Sequence, residues 1–95
     1  MALLIHPFGA LRRVTPANGQ AWTLRELQAF VGGYIEQVRV RGCRRYMLLN
    51  EDGKYRSLPL NMRASTLLWN AGGRRDDVVV GTVVLVTHRE MEGEE

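Results

Sequence analysis

Few residues of this sequence are of the types that do covalent or metal chemistry. His6, Cys43 and His88 carry its only imidazole and thiol groups, and they stand far apart along the chain. A metal centre needs ligands grouped at spacings such as CxxC or HxxxH; neither occurs, so no metal site is expected. Cys43 sits between Gly42 and Arg44-Arg45, where guanidinium neighbours favour the thiolate. A nucleophile also needs an oriented base beside it, and the sequence places none there. The expectation therefore leans away from an enzyme, with no catalytic residue and no cofactor. Gly32-Gly33 and Gly72-Gly73 follow helical patterns rather than precede them, which makes them helix stops and not phosphate-cradling loops.

The abundant chemistry is guanidinium. Twelve of the thirteen basic residues are arginine, and the net charge of +3 divides into +6 over residues 1–87 and −3 beyond them. Arginine suits bidentate contact with phosphate or carboxylate, so an anionic, nucleotide-like small molecule is the expected ligand class. Asn61 reads as a helix N-cap with Arg63 in the first turn, where free amides and the positive end of the dipole favour an anion. Arg39, Arg41, Arg44, Arg45, Arg74 and Arg75 would supply a basic rim. Glu36 alternates with Tyr34, Val38 and Val40, which predicts a partly buried carboxylate paired with an arginine such as Arg63 and able to orient it. The ligand-binding set expected from sequence is thus Asn61, Arg63, Glu36, Arg39, Arg41, Arg74 and Arg75. Nucleic acid is the runner-up partner, with a host protein as a further alternative. Neither helix carries a basic stripe, although Tyr34, Tyr46 and Tyr55 are available to stack on bases.

These groups must be positioned by a small scaffold. With 95 residues, 45% of them hydrophobic, the chain fits one domain that buries about 60–65% of its unfolded surface. Ala2 to His6 and Leu11 to Thr15 read as a hairpin. Thr23 and Glu26 form a capping-box pair, Trp22 and Leu27 a hydrophobic staple, and Leu24 to Val31 a helix stopped at Gly32-Gly33. Period-two patterns then predict three successive strands, from Tyr34, from Arg45 to Asn50, and from Lys54 to Ser57 across the Asp52-Gly53 turn. A second helix follows Asn61, with Ala64, Leu67, Leu68 and Ala71 on its buried face. Val78 to Thr87 is apolar on both alternating faces, the pattern of a central strand. The predicted fold is α+β, a single domain with a mostly antiparallel sheet and two helices in the order ββαβββαβ. Residues 88–95 are expected to form an acidic, frayed tail beyond a domain of residues 1–87. Because two short helices cover little more than one sheet face, a homodimer is favoured over a monomer. No apolar run is long enough to span a membrane, and a single cysteine with no signal peptide points to the cytoplasm.

Three segments together carry a resemblance: Val31-Gly32-Gly33-Tyr34-Ile35-Glu36, Leu58-Pro59-Leu60-Asn61-Met62-Arg63-Ala64 and Asp77-Val78-Val79-Val80-Gly81-Thr82-Val83. They resemble domain-of-unknown-function family 3846, found mainly in bacteriophages, plasmids and their hosts. The resemblance implies a phage or mobile-element setting and supplies no reaction. In that setting the expected function is a non-catalytic binding protein that sequesters a nucleotide-like signal of host defence; the alternative is a protein-interaction or nucleic-acid-binding module.

Overall fold

The structure, a computed structural model, describes the chain from Met1 through Glu92. Eight elements follow one another: β1 (Ala2–Ile5), β2 (Leu11–Val14), α1 (Leu24–Val31), β3 (Ile35–Arg39), β4 (Arg45–Asn50), α2 (Met62–Asn70), β5 (Val83–Thr87) and α3 (His88–Glu92). The strands form one antiparallel sheet in the order β2-β1-β5-β4-β3. The α+β class stands. Among the described residues no helix is long and apolar enough to cross a membrane.

Local chemistry starts α1 where the spacing predicts. The Thr23 hydroxyl oxygen accepts from the Glu26 amide at 3.1 Å, and the Glu26 carboxylate accepts from the Thr23 amide at 2.8 Å. That carboxyl is held below its usual pKa, first by the Thr23 amide and then by the Ala17 amide. Gly32, at φ +83°, closes the helix in the left-handed region and donates to Gln28 O at 2.8 Å. Thr23→Ala removes an acceptor from the first turn and should cost about 1 kcal/mol, lowering Tm by several degrees. A melting curve unchanged by this substitution would show that the cap does not hold α1.

Strand β5 lies at the sheet's centre, as its two-sided apolarity requires. On one face Val84 and Val86 pack with Ala2, Leu4, Leu48 and with Trp22 and Leu27; the Trp22 and Phe30 rings meet edge to face at 5.3 Å. On the other, Val83 and Leu85 pack with Ile5, Met47, Ala64 and Val79. Helix α1 covers the first face, and α2 with the extended chain at Val79 covers the second. Both faces of β5 are therefore sealed within one chain, which removes the premise from which a homodimer was expected. What the sequence undercounted was the cover supplied by irregular chain.

Two further elements differ from expectation. Lys54 to Ser57 is not a strand, because both edges of β4 are already occupied by β3 and β5. The chain instead makes tight turns, with Arg56 N–H to Asp52 O at 3.0 Å and Leu58 N–H to Gly53 O at 3.0 Å. Gly53 serves close packing: a Cβ there would stand 2.9 Å from Val80 Cγ2 and 3.3 Å from the Asn50 carbonyl oxygen. The observed order is accordingly ββαββαβα.

The second difference is at residue 88. The expected tail boundary falls inside ordered structure, since His88–Glu92 is helical and Met91 packs on the core; residues 93–95 of the expected tail lie outside the described residues. Thr87 and Glu90 repeat the capping-box exchange, with Glu90 N–H to Thr87 Oγ1 at 3.1 Å and Thr87 N–H to the Glu90 carboxylate at 2.9 Å. The Trp22 amide donates to the Glu90 backbone carbonyl at 3.0 Å, and the Met1 amino group pairs with the Glu90 carboxylate. Burial raises the Glu90 pKa, but the amino group and the two Thr87 donors outweigh it and hold the carboxyl below the usual range. A depressed folded-state pKa contributes stability above the unfolded value of 4.5, lost as pH falls through the folded value. The Tm difference between the native chain and Glu90→Gln should therefore narrow as pH drops below 4.5. A gap that stays constant across that titration would overturn the assignment.

Candidate anion-binding site

The residues expected to form one site are dispersed. Asn61 does cap α2, its Oδ1 accepting from the Ala64 amide at 3.0 Å, but its side chain is wholly buried. Its Nδ2 donates to Ile5 O at 3.1 Å and to Gly81 O at 2.8 Å. Both donors and the oxygen of the buried side-chain amide are engaged within the protein, so Asn61 is a core tie and not a ligand contact. Arg63 is exposed in the first turn of α2. Glu36 is also exposed, in a crevice with Val38, Lys54, Leu68 and Asp77, and among the described residues it forms no ion pair with Arg63. Its neighbour Lys54 is instead engaged with Asp77 at 2.7 Å. Alternation places Glu36 and Val38 on one face correctly; α2 covers only part of that face.

The remaining arginines gather at other places. Arg41 runs beside Gly72, past the far end of α2, a helix about 13 Å long by its rise per residue. Arg74 is neutralised by a two-point contact with Asp76, at 3.1 and 2.7 Å. Arg75 lies over the Trp69 ring, 5.8 Å from its centroid. These groups do not converge on the N-terminus of α2.

Convergence occurs instead at the β3–β4 turn. The pairings Arg39↔Tyr46, Tyr46↔Val86 and Arg45↔Thr87 bring the end of β3, the start of β4 and the end of β5 level. The chain reverses between the strands through Gly42 at φ +75°, with Cys43 N–H to Val40 O at 3.1 Å. This juxtaposition opens a groove of about 320 Å³ lined by Arg39, Cys43, Arg44, Arg45, Tyr46 and His88. Tyr46 hydrogen-bonds the His88 imidazole, their ring centroids 4.4 Å apart. Arg45 Nη1 donates to Met1 O at 3.1 Å and to Leu85 O at 3.3 Å, which fixes that side chain as a wall. Arg39 and Arg44 are exposed, and among the described residues neither pairs with a carboxylate. Two available guanidiniums and a fixed third supply donors of the kind that phosphate or carboxylate oxygens accept, beside the Tyr46–His88 pair.

The sequence reading missed His88 because it assigned that residue to a solvated tail. It missed Tyr46 as His88's partner because register, not local spacing, joins them.

The family model of a domain of unknown function, DUF3846, matches residues 1–95, the whole chain. The protein belongs to the DUF3846 family. The match takes in the β3–β4 turn and α3 as well as the three segments that carried the resemblance, so the groove falls within the DUF3846 span. No curated protein and no solved structure matches the chain.

Proposed function

We propose that this DUF3846 protein is a binding domain that holds an anionic, nucleotide-like small molecule in the groove between the β3–β4 turn and α3. The observation that supports this reading is the pair of unengaged guanidiniums, Arg39 and Arg44, beside the fixed Arg45 and the Tyr46–His88 pair. Charge-assisted, forked contacts of this type give affinity for phosphate without any covalent step. In a phage or plasmid setting, tight capture would withdraw a nucleotide signal from host defence.

The test is to incubate the purified protein with a panel of nucleotides and analyse bound and released species by mass spectrometry. The expected result is saturable capture of one class and its intact release. Altered release would assign an enzyme. Failure to capture any small anion, together with steeply salt-sensitive binding to DNA or RNA, would replace this reading with a nucleic-acid module.

A further inference from the structure

At the other end of the β3–β4 pair lies a second concavity, of about 510 Å³, lined by Arg25, Gln28, Ala29, Gly33, Tyr34, Asp52 and Arg56. Three features make it a built site. Asn50, buried between them, donates through Nδ2 to Val31 O at 3.0 Å and accepts the Asp52 amide at 2.8 Å, tying the end of α1 to the loop that carries Asp52. Arg56 Nη1 donates to Gly32 O at 3.0 Å, so the guanidinium is held in place with its other donors available. Gly33 clears the space: a Cβ there would stand 3.0 Å from Asn50 Nδ2 and 3.3 Å from Arg56 Nη1.

Tyr34 is the unusual member. Its backbone is anchored, its carbonyl accepting from the Glu51 amide at 2.9 Å, yet 69% of the residue is exposed. A ring fixed at its root and open along its body is a stacking platform. Arg25 and Arg56 give the cavity positive charge, and among the described residues neither forms an ion pair. Asp52 weighs against a bare anion and for a ligand that brings hydrogen-bond donors together with its phosphate. A flat ring, a phosphate and adjacent donors are brought together by nucleotides. We propose that this cavity is a second site, separate from the turn groove, that takes a purine ribonucleotide: the base on Tyr34, the phosphate on Arg25 and Arg56, and base or ribose donors on Asp52 and Gln28.

The test titrates the whole protein with guanosine monophosphate and follows backbone amide shifts by NMR. Saturable shifts are expected at Gly33, Tyr34, Asp52 and Arg56. Tyr34→Ala should weaken binding about tenfold or more, whereas Tyr34→Phe, which keeps the ring face, should stay within about twofold. Ribose 5-phosphate, which lacks the base, should also bind about tenfold or more weakly. In the double variant Arg39→Ala/Arg44→Ala the shifts at Gly33, Tyr34, Asp52 and Arg56 should persist with the same affinity, which separates this cavity from the turn groove. Shifts confined to Arg39 through Tyr46, equal binding of ribose 5-phosphate, full affinity in Tyr34→Ala, or no shifts at roughly millimolar ligand would each overturn the assignment.

Discussion

Replacing Asn61 by alanine should destabilise the domain by about 3 kcal/mol or more, because it strands the buried carbonyls of Ile5 and Gly81 and the amide of Ala64. The same knot holds the Asn61 amide on Val79 O at 2.8 Å and the Val79 amide on Ser65 Oγ at 2.8 Å. One side chain thus fastens α2 to the end of β1 and to the chain entering β5. Against a total stability of about 5–15 kcal/mol, a loss of this size lowers Tm by roughly 15 °C. Asn61→Asp separates the two roles. Aspartate caps a helix as well as asparagine does, but it has no donor for the two carbonyls and would bury a charge against them. Thermal denaturation should therefore find the aspartate variant at least as damaged as the alanine variant. Recovery with aspartate would mean that capping alone explains Asn61.

The largest functional loss is expected from Arg39→Ala and Arg44→Ala. Each removes a guanidinium that has no carboxylate partner among the described residues, so the substitution should delete the proposed ligand contacts and leave the fold intact. Capture of the small anion should weaken by more than about tenfold for each, equivalent to about 1.4 kcal/mol for one charge-assisted contact. Arg45→Ala is the poorer probe, since its hydrogen bonds to Met1 O and Leu85 O would be lost as well. Arg63→Ala, in the first turn of α2 and outside the groove lining, should change affinity by less than about twofold. Equal losses at Arg39, Arg44 and Arg63, with affinity falling steeply as salt rises, would point to a polynucleotide track in place of a discrete site.

Legibility from sequence followed the range of each interaction. The Thr23 and Glu26 exchange spans three residues and was readable in full. The cap at Asn61 was equally readable, but its second role was not, because Ile5 and Gly81 are 56 and 20 residues away. Glu36 was placed on the right face of its strand and given the wrong burial, since how far α2 extends over β3 is a tertiary fact. Asp52-Gly53 has the composition of a hairpin turn, yet the sheet had no free edge beside β4 to accept another strand. The arginine count is legible as composition alone, while the register of β3, β4 and β5 decides which of those arginines lie near one another.

The central place of β5 governs when the sheet can exist at all. β1–β2 and β3–β4 are local hairpins, but they are not neighbours; the strand that joins them comes from residues 83–87. As the chain leaves the ribosome, both hairpins and both longer helices emerge before that strand. Two-stranded hairpins are marginal in water, and each presents an open edge until β5 inserts between them. Long-range closure costs chain entropy before its contacts are made. Closure of the sheet therefore waits on β5, the last of the described strands in chain order, which acts as its keystone.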